Sequence, residues 1–253
     1  MATKAEGVRS KTAIGRSASP NRRRLNTGYA RGEETRLRII RAAVELFGNK
    51  GFDSVSTRDI AARAEVNAPV LQYYFDGKEG LYLACVEYMQ THMTKLLRPI
   101  IDAVRERLEG KMTREGLIDC VCYVYEQVAD FLLTHSEIDA WKRFAAWDVH
   151  DRDNIPCSAH KALDMGIRRE FRQLMCELVG RIIGKSPQDE QTRIRVVTLG
   201  SQLSVFHDAR RKALDDLGWI GVTERELALL KAVVREQTAA ALRAAAVRTG
   251  KKS

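Results

Sequence analysis

From Glu33 onward, apolar residues recur at intervals of three and four almost to the end of the chain. No stretch alternates with period two for long enough to form a strand, so the expected fold class is all-α. With 45% apolar residues over 253, the chain can bury a sizeable core, either in one large domain or in a small one followed by a larger one. No window of about 18 uncharged apolar residues occurs, which excludes a helical membrane span.

Start and stop signals divide this helical pattern. The first helix is expected from about Glu33 to Lys50, with Leu37, Ile40, Val44 and Phe47 on one face and Gly51 as its stop. Ser56 opens a short helix, and Asp59 three residues on completes a capping box in which each side chain satisfies the other's free backbone N–H. Asn67 caps a third helix that carries Pro69 in its first turn, where a missing N–H costs nothing, and that ends near Tyr74. Asp76 or Gly77 starts a long fourth helix with Leu81, Cys85, Tyr88 and Leu96 facing inward, which Pro99 is expected to kink or break. Further helices are expected from Thr113 to about Leu133, Glu137 to Trp147, and Ser158 to Ile183, where Gly184 ends the last. Another starts at Ser186, Pro187 and Asp189. A final one is capped by Thr223 and Glu226 after a turn at Gly218 to Val222.

Two short helices joined by a tight turn and backed by a longer one form a helix-turn-helix, which lets its second helix lie in the major groove of DNA. The run from Thr57 to Val66, Tyr73-Tyr74-Phe75, and Lys78-Glu79-Gly80-Leu81 together resemble the signature of the TetR family of transcriptional regulators. Within that family the run from Tyr73 to Cys85 is similar to one subgroup. The segment around Asp216 to Trp219 resembles the C-terminal domain of that subgroup.

The resemblance implies a three-helix DNA-binding domain at 33–80 and a larger helical ligand-binding and dimerisation domain at 81–247. Ser56, Thr57 and Arg58 would meet DNA at the start of the second helix, and Asn67, Ala68, Pro69, Val70, Gln72 and Tyr73 along the third. Tyr74 and Lys78 fit phosphate positions. Gln72 can pair bidentately with adenine, whereas Ala68, Pro69 and Val70 offer only apolar contact to a thymine methyl or a sugar. Leu71 and Phe75 face the first helix as core. Glu65 stands where many members carry glycine, so the turn either takes a left-handed residue at roughly 1 kcal/mol or differs in shape.

Charge is unevenly spread. Residues 1–32 carry eight basic side chains against Glu6 alone, which leaves only +2 of the net +9 for the rest. This basic tail is expected to be disordered, and two readings stand: a solubilising extension, or a phosphate-contacting arm through Arg22, Arg23 and Arg24. Residues 248–253 form a second basic tail. Without an apolar stretch after the N-terminal basic residues, no export signal is expected, and a cytoplasmic location follows. Residues 33–80 hold seven basic and eight acidic side chains, so DNA affinity must come from placement.

Five cysteines without CxxC spacing read as reduced buried thiols, and five scattered histidines predict no metal site. Beyond residue 95 there is no phosphate loop, nucleophile elbow or recognisable carboxylate pair. Neither catalysis nor a cofactor is expected.

In TetR-like proteins the remaining helices enclose a ligand pocket. The expected lining is Tyr123, Phe131, Trp141, Phe144, Trp147, His160, Met165, Phe206 and His207, each of which also has an ordinary core reading. This set suits an aromatic or amphipathic inducer. The resemblance also implies a homodimer in which Ile194, Val197, Ser201, Val205, Leu227, Leu230, Val234 and Ala241 meet their symmetry mates, unless they pack inside one protomer. Such a dimer would bind an inverted-repeat operator and release it on binding inducer. The competing reading is a ligand-independent architectural DNA-binding dimer that draws most of its affinity from the tail.

Overall fold

The computed structural model describes the backbone of residues 20–135, 137–150 and 166–250, and side chains for 30–135, 137–146, 166–206 and 209–246. Ten helices lie among the described residues: α1 Pro20–Lys50, α2 Thr57–Arg63, α3 Ala68–Tyr74, α4 Gly77–Leu108, α5 Arg114–Thr134, α6 Ile138–His150, α7 Ile167–Ile183, α8 Glu190–Asp208, α9 Arg210–Leu217 and α10 Glu224–Gly250. The chain is all-α, as its apolar period requires. No helix among the described residues is long and apolar enough to cross a membrane.

Among the described residues, those up to Arg38 form one unit and those from Ile39 another. In the first, α1 begins at Pro20 and not at Glu33, so the part of the expected disordered tail that follows Pro20 is helical. Apolar period is blind to such a segment, but arginine is a good helix former and proline is tolerated in a first turn. Thr35 Oγ1 donates to the Arg31 carbonyl at 2.9 Å, and Arg36 lies 3.7 Å from Glu33.

The second unit is built mainly on long helices. α4 runs unbroken through Pro99, whose exposed position leaves the unpaired carbonyl one turn earlier open to water. Its second half packs with α5, α7, α8 and α10 around Ile101, Val104, Val121, Val124, Leu178 and Ile182, none more than 1% exposed. Each such side chain contributes about 1.5–3 kcal/mol on burial. Four ion pairs close the seam between α5 and α10: Arg235 with Asp119 at 2.7 Å and Glu126 at 3.0 Å, Lys231 with Asp130 at 2.8 Å, and Arg243 with Glu115 at 2.7 Å.

Local signals end the helices where expected. Thr113 accepts from the Gly116 N–H, Asp189 accepts from the Gln191 N–H, and Gly184 takes the left-handed conformation after α7. Before α10 the Thr223 backbone N–H and hydroxyl both donate to the Glu226 carboxylate, which is one half of the expected capping box. Cys85, Cys120, Cys122 and Cys176 are buried thiols outside any disulfide, and burial pushes Cys120, Cys122 and Cys176 above the ordinary thiol range. Cys157 lies outside the described residues.

Candidate DNA-binding and effector regions

The helix-turn-helix is anchored from behind. Ile39, Ile40, Ala43, Val44 and Phe47 of α1 are buried, as are Ile60, Ala61 and Ala64 around α2 and Leu71 and Phe75 around α3. Arg63 of α2 reaches Glu45 of α1 at 2.6 Å.

At the start of α2 the Ser56 backbone N–H and hydroxyl both donate to the Asp59 carboxylate, at 2.9 and 2.6 Å. The Asp59 N–H donates back to Ser56 Oγ at 3.1 Å. The bond from the Ser56 hydroxyl, with that from its backbone, holds Asp59 below the usual carboxylate range.

The turn uses Glu65 in the left-handed region, at φ 55°. The Val66 N–H donates to the Ala61 carbonyl at 2.9 Å and the Glu65 N–H to Ala62 at 3.2 Å, the bond pattern of a Schellman motif with glutamate where glycine is usual. The chain thus accepts a strained residue and keeps the turn.

Asn67 occupies the cap position of α3 but makes no side-chain capping bond. The reason lies in the sequence of the first turn. Pro69 has no N–H to give, and the Val70 N–H already donates to the Asn67 carbonyl at 2.9 Å. The Asn67 amide stays exposed.

Among the expected DNA-contacting residues, Ser56, Arg58, Asn67, Ala68, Pro69 and Gln72 are exposed, and Thr57, Val70, Tyr74 and Lys78 are partly so. Tyr73 is 83% exposed, with its ring edge-on to Tyr74 at 5.2 Å. Lys78 is tethered at the surface: its ammonium donates to the Asp53 carbonyl at 3.3 Å and sits 4.3 Å above the Phe52 ring.

The described members of the expected pocket fall into separate groups. Trp141 and Phe131 meet at 6.2 Å, and His135 and His92 flank Trp141 at 5.1 and 5.5 Å. Phe144, three residues after Trp141, instead stacks on Tyr82 at 4.5 Å and meets Phe47 of α1 at 6.2 Å. Tyr123 lies under the Arg107 guanidinium and Phe206 against Trp219. The side chains of Trp147 and His207, and all of His160 and Met165, lie outside the described residues. Tyr88 and His92, one turn apart on α4, His135 at the end of α5 and Trp219 after α9 lie outside the expected lining, because nothing in their spacing along the chain links them to Phe131, Trp141 or Phe206.

A cleft of about 400 Å³ touches Trp141 and runs between α1, α4 and α6, lined by Arg41, Val44, Tyr88, Glu137 and Ala140 among others. Burial and the bond to Glu137 push the Tyr88 hydroxyl above its ordinary range. A second groove, of about 530 Å³, runs beside Cys176 between α7 and α8.

The expected interface stripes part company. On α8, Ile194, Val197 and Val205 are 53, 70 and 46% exposed, and Ser201 is exposed with them. On α10, Leu230 and Val234 are buried at 4 and 5%, and Leu227 packs on the same core. These three belong to the interior of the protomer, because α5 and α7 take that face of α10. Ala241 is exposed, and the large apolar side chains that α10 leaves outside, among the described residues, are Leu229 and Val233.

Comparison with known proteins agrees with this architecture. The family model for bacterial regulatory proteins of the tetR family matches residues 39–85, and that for the C-terminal domain of the HTH-type transcriptional dual regulator CecR matches 122–245. The dual regulator CecR of Shigella flexneri is 24% identical over 81% of this chain and 89% of its own length. The HTH-type transcriptional repressor Rv3405c of Mycobacterium tuberculosis is 34% identical, over 39% of this chain and half of its own. Among solved structures, AibR in complex with isovaleryl coenzyme A and operator DNA superposes with a TM-score of 0.53 at 11% identity, over 79% of this chain and 96% of that one. With a helix-turn-helix matched at one end and a regulator's C-terminal domain at the other, the chain belongs to the TetR family of bacterial transcriptional regulators.

Proposed function

We propose that the protein is a repressor in the cytoplasm that binds an inverted-repeat operator as a homodimer and loses affinity when a small molecule binds its larger helical region. The observation that carries this reading is the face of α3. Leu71 and Phe75 pin the helix from behind, while Asn67, Gln72 and Tyr73 point outward with no capping bond to occupy the Asn67 amide. Gln72 supplies the bidentate base contact. Ser56, Thr57, Arg58, Tyr73, Tyr74 and Lys78 position the helix on phosphates, with Ala68, Pro69 and Val70 as its apolar edge.

The exposed α8 stripe of Ile194, Val197, Ser201 and Val205, with Leu229 and Val233 of α10, supports assembly through these two helices. The aromatic group around Trp141 supports an inducer with an aromatic or amphipathic body. AibR, crystallised with an acyl coenzyme A and operator DNA, shows that this fold accommodates both partners in that protein.

The test is selection of bound fragments from random-sequence DNA, with and without a metabolite library. An inverted repeat, lost from the bound pool when one compound is added, is the expected result. A pool without common sequence, or one that no metabolite alters, contradicts the proposal.

A further inference from the structure

Where Gly48 of α1 meets α6, the backbone of α6 leaves no ordinary space for a side chain. A Cβ on Gly48 would stand 3.0 Å from both the Ala140 carbonyl oxygen and the Phe144 backbone nitrogen, and 3.2 Å from the Arg143 Cβ. Glycine inside a helix is costly relative to alanine, so its presence here needs a reason, and the backbone of α6 supplies it.

Beside that contact, three polar groups from α1, α4 and the turn before α6 close a ring. Arg41 Nε of α1 lies 2.8 Å from Glu137 Oε1, in the turn that leads into α6, and donates to the Tyr88 hydroxyl of α4 at 3.2 Å. The Tyr88 hydroxyl donates to Glu137 Oε2 at 2.7 Å. The Arg41 side chain is 57% exposed and that of Glu137 27%, so the pair contributes little to stability. Its geometry fixes direction. The Trp141 ring, one turn along α6 from Glu137, lies 6.0 Å from the Tyr88 ring and nearly perpendicular to it.

We infer that Gly48, Arg41, Tyr88 and Glu137 form a positioning site for DNA binding: with none of them on α2 or α3, they clasp α1 to the start of α6 and so set where the recognition helix is held. The inference rests on the proposed inverted-repeat dimer, because only a dimer reads the distance between two recognition helices.

The test uses the full chain and DNA carrying the selected half-site singly, as the natural inverted repeat, and as repeats one base pair longer or shorter. Glu137→Gln keeps an acceptor for Tyr88 and removes the charge that holds Arg41. Gly48→Ala drives a methyl between the helices while favouring α1 itself. Both variants should lose roughly 2- to 30-fold affinity for the natural repeat and discriminate less against the altered spacings. Their binding to the single half-site and their melting temperature should match those of the wild type. Variants with the wild-type spacing profile, or ones that lose single-site binding and melting temperature in step, overturn the inference. Wild-type protein with no spacing preference overturns the dimer reading, and the inference with it.

Discussion

α2 and α3 are both seven residues long and lie side by side, yet they use their polar groups in opposite ways. α2 satisfies itself. Its capping box closes one end, the Schellman bonds close the other, and Arg63 pairs with Glu45. α3 has no side-chain cap, a proline in its first turn and exposed side chains at Asn67, Gln72 and Tyr73. What holds it is apolar: Leu71 at 0% and Phe75 at 6% exposure. A helix that keeps its polar atoms free for a partner depends on its neighbours for stability, and one that bonds them internally does not.

The sharpest way to break this contrast is to remove the anchor of α3. Leu71→Ala should cost about 2–5 kcal/mol in denaturant unfolding and abolish operator binding. An equal loss of stability from Ser56→Ala would erase the distinction. That substitution removes only a cap and should cost about 1 kcal/mol.

Ser56→Ala also carries a pH signature. Asp59 has a lowered carboxylate pKa in the folded state, so its contribution is complete above the unfolded carboxylate range and is lost as pH falls through the lower folded value. The gap between wild type and Ser56→Ala, followed by urea midpoint, should therefore narrow in acid, leaving the part that comes from the Asp59 N–H bond to Ser56 Oγ. Glu65→Gly relieves a left-handed residue and should stabilise the turn by about 1 kcal/mol. Asn67→Ala should leave the urea midpoint almost unchanged and lower operator affinity, the reverse of an ordinary cap deletion.

Much of this region was legible in the sequence because its signals are local. Ser56 and Asp59 are three residues apart, Gly51 and Pro69 punctuate the chain, and Leu71 and Phe75 share one face. The lack of a capping bond at Asn67 was legible too, had Pro69 been read as removing the N–H that the amide would accept.

Farther along the chain, period alone failed. Leu230 and Val234 belong to a helical stripe as regular as Ile194, Val197, Ser201 and Val205, but α5 and α7 cover one stripe and none of the described residues covers the other. Apolar spacing marks a face that is buried without saying by what. Gly48 escaped notice for a related reason. In sequence it is a weak point in a helix, and only the approach of α6, roughly ninety residues away, makes it necessary.

The central claim is that α3 reserves its polar groups for reading DNA, and Gln72 tests it most directly. Titrating Gln72→Ala and wild type against the operator and its single-base variants at fixed salt measures both affinity and preference. The account predicts a loss of about 1–3 kcal/mol per half-site at the preferred operator, relaxed preference at one symmetric base position, and nearly unchanged non-specific binding. A uniform loss across all sequences with the base profile intact would contradict it.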